Sequence, residues 1–252
     1  MKHLIIGGVA GGATAAARIR RLDETADIIV FERGPHISYA NCGLPYYIGG
    51  IIEERDRLFV QTPESFGRRF NIDVRTNNEV TAIDAAAKQV RVRTADGKQY
   101  RESYDKLLLS PGASPVVPPL NGIDSEGIFT LRNVSDTDRI KEYMTSHRVK
   151  RAVIVGGGFI GLEMAENLKH AGAQVAVVEM ASQVMAPIDY SMASHVHEHL
   201  LQQGVKLYLE QAVGGFSREN NELIVHFKSG VTLKTDIVLL SIGVKAETNL
   251  AQ

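Results

Sequence analysis

The sequence predicts an α/β fold that uses one β-α-β unit twice, and three observations carry that prediction. KHLIIGGVAGGATAAARIRRL followed by DIIVFE is echoed in outline by RAVIVGGGFIGLEMAENLKHAG followed by QVAVVE, each reading as strand, glycine turn, helix and a second strand ending in an acid. The strands are unbroken apolar runs, the pattern of parallel strands buried on both faces beneath helices. The length, 252 residues, accommodates two domains or one large one.

The remaining elements follow in order. Between the copies a helix is expected around 63–70 and strands at 72–75, 80–84 and 89–94, with ADGK turning the chain at 95–98. KLLLS at 106–110 reads as another buried strand. SPGASPVVPPLNG at 110–122 holds four of the eight prolines and marks a domain crossover. VSDTDRIKEYM opens a helix capped by Ser135 or Asp136. After the second unit come a helix at about 190–203, a hairpin from ELIVHFKSG and VTLKT, and the strand DIVLLSIG.

Composition removes several classes. With 28 Lys and Arg against 29 Asp and Glu, scattered along the chain, there is no electrostatic footprint for nucleic acid or an anionic membrane. A single cysteine rules out an intrachain disulfide framework and a cysteine zinc cluster, and fits a reducing, cytoplasmic compartment. The N-terminal apolar run has a poor signal-peptide core, since four glycines interrupt it and Arg18 follows. No stretch approaches the roughly 18–20 apolar residues that a spanning helix needs. Of His195, His197 and His199 only the first and last share a helix face, so they read as surface polarity and no metal is expected.

The glycine turns point to nucleotides. In GGGFIG, Gly156, Gly158 and Gly161 meet all three positions of G-x-G-x-x-G: a tight turn, close backbone approach to a pyrophosphate, and helix packed on strand. The helix N-terminus then faces the phosphates. Glu179, ending the next strand, can accept from an adenosine ribose and repels a 2′-phosphate, so NAD(H) is expected over NADP(H), and Lys169 and His170 do not reverse this. In GGVAGG, Gly7 and Gly12 take the outer positions while Val9 stands where the middle glycine is usual; Gly8 and Gly11 offer the close approach, and Glu32 ends the following strand. Two dinucleotide sites imply two cofactors, most economically a tightly held FAD and an exchanging nicotinamide.

Cys42 lies in SYANCGLPYYIGG, about ten residues beyond Glu32, where a helix begins. A helix N-terminus favours a thiolate and so a nucleophile. The bland reading is a small buried hydrophobe. Thr14, Arg18 and Arg21 fall at i, i+4 and i+7, one stripe of the first helix. Such a stripe is either a solvated face or a phosphate receptor; Arg68 and Arg69 stand outside any motif.

GGVAGGATAAARIRRLD, SYANCGLPYYIGG, YDKLLLSPGASP, FTLRN, VIVGGGFIGLEMAENL and VVEMASQVMAPID together resemble the single-cysteine branch of the FAD-dependent pyridine nucleotide-disulfide oxidoreductases, and within it the coenzyme A disulfide reductases, including forms with a fused rhodanese domain. The resemblance implies two Rossmann-like domains, the NAD domain inserted in the FAD domain: 1–115 for FAD with the redox cysteine, 116–241 for NAD(H), and 242–252 beginning the return to the FAD domain, the remainder lacking. It implies FAD contacts from Gly7, Gly8, Ala10, Gly11, Gly12, Glu32, Arg33, Val80, Ser110 and Gly112. It likewise implies NADH contacts from Gly156, Gly158, Phe159, Ile160, Gly161 and Glu179, and coenzyme A contacts from Thr14, Arg18, Arg21, Ser38 and Asn41. Tyr39, Asn41 and Pro45 would shape the loop.

Two-cysteine relatives pair thiols five positions apart, but Ile37 and Tyr47 occupy those positions. Cys42 would therefore use a mixed disulfide, a persulfide or a sulfenic acid. The expected activity is NADH-dependent reduction of coenzyme A disulfide or persulfide by a homodimeric parent. The alternatives are NADH peroxidase or oxidase chemistry, disfavoured by Ala10 where those relatives carry a histidine, and an inactive nucleotide-binding fragment.

Overall fold

Apolar runs and alanine- or leucine-rich stretches alternate along this chain, and the computed structural model, which describes residues 1–220 and 222–252, turns them into strands and helices. In chain order these are β1 (Lys2–Ile6), α1 (Ala10–Leu22), β2 (Asp27–Glu32), α2 (Leu44–Gly49), α3 (Pro63–Phe70), β3 (Asp73–Thr76), β4 (Asn78–Asp84), β5 (Gln89–Thr94), β6 (Gln99–Ser103), β7 (Lys106–Leu109) and β8 (Ala113–Pro115). They continue with β9 (Ile128–Thr130), α4 (Val134–Ser146), β10 (Arg151–Val155), α5 (Phe159–His170), β11 (Gln174–Val178), α6 (Tyr190–Gln202), β12 (Lys206–Tyr208), β13 (Val213–Glu219), β14 (Glu222–Phe227), β15 (Thr232–Thr235), β16 (Ile237–Leu240) and β17 (Val244–Ala246). One compact unit comprises Met1–Ala40, Asp56–Ala113 and Ala246–Gln252; the other comprises Asn41–Arg55 and Ser114–Lys245.

In the first unit β3-β2-β1-β7 form a parallel sheet. Successive side chains point to opposite faces, so each strand feeds two cores. Ile5, Ile28 and Val30 pack beneath Ala13, Ala16 and Ala17 of α1 and Phe66 of α3. Leu4, Ile6, Ile29 and Phe31 pack against Val80, Val90 and Val92 of an antiparallel sheet, β4-β5-β6. The unbroken apolar runs do reflect two buried faces, but helices cover only one of them. The alternation of β6 (QYRES), half-buried at Tyr100 and Glu102 and exposed between, was the signal for the strand that completes this meander. β7 is not the buried strand expected: it forms a sheet edge and leaves Leu109 38% exposed.

The second unit repeats the plan. Its parallel sheet runs β12-β11-β10-β16-β9, with α5 packed over β10, β11 and β16 through the buried Met164, Ala165 and Leu168. On the other face Val153, Val155, Val178, Val238 and Leu240 meet Phe216, Leu223, Val225 and Phe227 of β13-β14-β15. β13 turns the expected hairpin into a three-stranded meander.

The cap of α4 is Asn133 rather than Ser135 or Asp136. Its side chain accepts the Asp136 N–H at 2.9 Å while the Asp136 carboxylate accepts the Asn133 N–H at 3.3 Å, a reciprocal box that places Ser135 and Asp136 inside the first turn. Among the described residues no helix is long and apolar enough to cross a membrane.

Asp236 locks the entry to β10. Its carboxylate accepts the N–H groups of Lys150 (2.9 Å) and Arg151 (2.8 Å) and the Arg151 guanidinium (2.8 Å). Burial pushes this carboxyl up, but those hydrogen bonds outweigh it and hold it below the ordinary carboxylate range. A depressed carboxyl contributes stability above the unfolded value, about 4, and loses it as pH falls through the folded value. Asp236→Asn should therefore cost about 1–3 kcal/mol at pH 7, and the cost should shrink as pH drops below about 4, read from urea denaturation of both proteins across pH.

Candidate functional site

Both glycine turns are built by backbone contact. At Gly7 (φ +97°) a Cβ would fall 2.0 Å from the Ser110 carbonyl oxygen; at Gly156 (φ +108°) it would fall 2.4 Å from that of Ser241. The Gly12 and Gly161 positions are tighter, 1.7 Å from the Gly7 oxygen and 2.1 Å from the Gly156 oxygen. Only glycine lets strand, turn and helix close to these distances.

Glu32, which ends β2, and Glu179, directly after β11, are already engaged in matching ways. Glu32 accepts the N–H of Gly8 at 2.9 Å through one oxygen and that of Gly34 at 2.8 Å through the other. Glu179 accepts from Gly157 at 2.7 Å and Ala181 at 2.8 Å. Each carboxylate oxygen keeps a lone-pair direction for a further donor. The repeat extends into the loops beyond: Ser38 (φ +47°) donates its N–H to the Gly8 oxygen at 2.9 Å, and Met185 (φ +54°) donates to that of Gly157 at 2.8 Å. Gly157, the counterpart of Gly8, is absent from the residues singled out by sequence; aligning the two copies would have found it.

The helices behind these turns start with unspent donors. α3 and α4 begin with capping boxes, whereas α1 and α5 have no side-chain cap and no acid in the first turn. α6 also lacks a side-chain cap hydrogen bond, but starts behind the carboxylate of Asp189. Gly158 caps α5 with nothing within 4 Å of where its Cβ would stand. Free N–H groups, a positive helix end and space for an oxyanion form the donor set that a pyrophosphate requires. At the corresponding position of the first turn stands the half-buried Val9, which caps α1.

The other expected residues fall as follows. Ala10 and Gly11 are exposed at the start of α1, and a Cβ on Gly11 would meet the Ser110 hydroxyl at 2.5 Å. Arg33 pairs with Glu247 at 3.2 Å, and the carbonyl of Gly112 accepts the Glu247 N–H at 3.0 Å. The Val80 side chain is buried in the core, which leaves only its main chain to meet a ligand. Phe159 and Ile160 project from the start of α5, 62% and 40% exposed. Thr14, Arg18 and Arg21 are all exposed along α1. Arg21 Nε donates to the Ala17 carbonyl near the end of α1 at 3.3 Å, and the Arg20 guanidinium donates to the carbonyls of Phe70 and Asn71 at the end of α3 at 2.8 and 2.7 Å.

His195 and His199 are exposed, but His197 is half-buried and its Nε2 accepts the Val184 N–H at 3.1 Å, a loop-holding role that spacing did not disclose.

In the second unit Asn41 and Cys42 open a 3-10 turn, Asn41–Gly43, that runs straight into α2, and both are exposed. Cys42 is thus not the buried hydrophobe of the bland reading. Tyr46 follows one turn later. The carboxylates of Glu166 and Glu163, then burial, push its phenol up, so it stays protonated as a donor. Burial followed by the charge of Glu166 likewise raises Glu163.

Two glycine-opened helices, each paired with an oriented acid, together with an exposed thiol describe a nucleotide-dependent redox protein. The model of the pyridine nucleotide-disulphide oxidoreductase family matches residues 1–252, and the chain belongs to that family. It is 38% identical over 243 residues to a coenzyme A disulfide reductase of Staphylococcus haemolyticus, covering 96% of this chain and 54% of that protein. It is 35% identical over 257 residues to an NADH oxidase of Methanocaldococcus jannaschii, covering 100% and 56%. Reduced CoADR-RHD of Bacillus anthracis superposes with a TM-score of 0.96 at 51% identity, over 99% of this chain and 45% of that one. A NAD-dependent persulfide reductase from A. fulgidus gives 0.95 at 37%, over 100% and 47%. The chain thus spans about half the length of the curated relatives it matches.

The open space at Gly158 lets a fold role for this glycine be separated from a ligand-binding one by experiment. Gly158→Ala should leave the melting temperature within about 2 °C, since its φ of −81° suits alanine and its methyl touches nothing. If a pyrophosphate approaches there, the same methyl should weaken binding of a nicotinamide dinucleotide at least about tenfold, measured by fluorescence titration.

Proposed function

We propose that this chain carries the two nucleotide sites and the redox thiol of an NADH-dependent flavoprotein reductase acting on coenzyme A disulfide or coenzyme A persulfide. The observation that carries this reading is the pair of uncapped, glycine-opened helix N-termini with oriented acids, in one chain with an exposed Cys42. The relatives named for coenzyme A disulfide and persulfide reduction support the substrate class.

The first unit, residues 1–40, 56–113 and 246–252, forms the FAD domain and the second the NAD(H) domain; the expected bounds of 1–115, 116–241 and 242–252 shift because 41–55, with Cys42, cluster with the second unit. Gly7, Gly8, Ala10, Gly11 and Gly12 cradle the flavin pyrophosphate, Glu32 takes the ribose, and Arg33, Val80, Ser110 and Gly112 complete that site. Gly156, Gly158, Phe159, Ile160 and Gly161 hold the nicotinamide dinucleotide. Glu179 accepts from its ribose hydroxyls and repels a 2′-phosphate, favouring NADH. When bound, the flavin supplies two electrons drawn from NADH to sulfur.

Thr14, Arg18, Arg21, Ser38 and Asn41 receive the anionic carrier, the arginines through charge-assisted bonds to phosphate. The Cys42 thiolate attacks one sulfur of the disulfide: a Cys42–S–S–coenzyme A bond forms, the substrate S–S bond breaks, and coenzyme A thiolate leaves to take a proton. With coenzyme A persulfide the leaving group is hydrosulfide. Two electrons then cleave the mixed disulfide, which restores the Cys42 thiolate and releases coenzyme A thiol. The parent is read as a cytoplasmic homodimer.

The relative named NADH oxidase favours a second reading, oxygen or peroxide reduction through a Cys42 sulfenic acid. Against it stands Ala10, whose methyl group cannot donate a hydrogen bond to oxidised sulfur.

An anaerobic absorption spectrum tests the proposal. Flavin bands that bleach with NADH and return on adding coenzyme A disulfide or persulfide, but not peroxide, are expected; a colourless chain that FAD cannot reconstitute would reduce it to a nucleotide-binding fragment. Cys42→Ser should abolish disulfide turnover while NADH binding persists, and equal rates in both proteins would overturn the role of Cys42. Glu179→Ala should lower the NADH/NADPH ratio of kcat/KM about tenfold or more, the scale of one lost hydrogen bond to a charged group.

A further inference from the structure

A helix as short as α2 is marginal by itself, because nucleation is costly and few internal hydrogen bonds repay it. Packing must hold it, and α4 and α5 of its own unit supply that packing. A Cβ on Gly49 would lie 2.6 Å from Asn167 Oδ1 and 2.8 Å from the Asn167 carbonyl oxygen, so α2 approaches α5 at a distance only glycine allows. Asn167 is fully buried: its Nδ2 donates to the Glu163 carbonyl at 2.8 Å, and its Oδ1 has no hydrogen-bond donor among the described residues.

From α4, Lys141 reaches the same last turn of α2. Its ammonium donates to the Tyr47 carbonyl oxygen at 2.7 Å and lies 3.6 Å from the centroid of the Tyr47 ring. A cation at the last turn complements the negative end of a helix, and the ring face adds a second attraction. One turn earlier on α4, Asp138 accepts from Arg55 Nε at 2.9 Å and from Nη2 at 2.7 Å, which ties down the chain just beyond α2. Burial pulls the Lys141 ammonium down and the Asp138 charge opposes it, as expected for a cation committed to this contact.

We propose that Lys141 is a positioning residue for Cys42: by clamping the Tyr47 end of the continuous helical run from Asn41 to Gly49, it fixes the orientation of the thiol at the opposite end. The Asp138–Arg55 pair and the Gly49–Asn167 contact leave that run little freedom to turn. The proposal rests on the reading of Cys42 as the redox thiol, and its test separates the two.

The test compares Lys141→Met and Lys141→Arg in the whole chain. Amide hydrogen exchange over 44–49 should quicken about tenfold in Lys141→Met and revert in Lys141→Arg. With coenzyme A disulfide, Lys141→Met should lower kcat about tenfold with the KM for NADH unchanged, and Lys141→Arg should restore it. Unaltered exchange over 44–49, or faster exchange with unaltered kcat, overturns the proposal. If the parent chain itself does not turn over, the reductase reading is what suffers. The rate of Cys42 alkylation by iodoacetamide then decides: a change in Lys141→Met that Lys141→Arg reverses supports the clamp, and equal rates overturn it. Should Lys141→Met lower the melting temperature of the whole chain, Asp138→Asn applies the same readouts to the other half of the clamp.

Discussion

One constraint underlies both halves of this chain: a helix can start directly over the strand that precedes it only if the backbone at the junction carries no side chain. At Gly12 and Gly161 the nearest carbonyl oxygen stands where a Cβ would be, and at Gly7 and Gly156 the carbonyl of the returning strand does the same. The glycines bring β1 to α1 and β10 to α5. This seats the alanines of α1 and the Met164–Leu168 stretch of α5 on their sheets, and the free N–H groups of both helices end up beside Glu32 and Glu179. Fold and site share one cause, since the close approach that packs the helix also aims its first amides at the ligand space.

Much of this was legible because it is written in local pattern. Apolar runs bounded by glycine, with an acid at the end of the second strand, foretold both β-α-β units, and PESFGRRF foretold α3 from its own residues. The misses are tertiary. β13 begins on Val213-Gly214-Gly215, with a register shift between Val213 and Gly215, so its place in the meander depends on pairing with β14, whereas β6 carries a local alternation. The exposure of β7 follows from its place at the sheet edge, which KLLL does not encode. Within the candidate site, the glycines and acids announce themselves by spacing. Lys141, Asn167 and His197 do not, because each acts on a segment distant in sequence through a single hydrogen bond or contact.

Residues 41–55 illustrate the difference. They lie in sequence between two parts of the first unit, yet they cluster with the second. The reason is visible in side chains: Gly49 against Asn167, Tyr47 beneath Lys141, and Arg55 on Asp138. An ion pair as solvated as the last contributes little by itself. Joined to a helix-end cation and a close glycine contact, it belongs to a set that gives a helix too short to persist alone a defined seat.

The left-handed residues Ser38 and Met185 carry one more consequence. They share neither size nor polarity, yet both bend the main chain the same unfavourable way and return an N–H to the same carbonyl of their own turn. Ile37 and Val184 cover equivalent glycines, and Ser110 and Ser241 follow equivalent strands. What the two halves have in common is a main-chain scaffold closed on itself and pinned by one carboxylate in each half, Glu32 and Glu179. Such a scaffold lets one half specialise for a permanent guest and the other for a transient visitor, because altering what is gripped leaves the grip untouched.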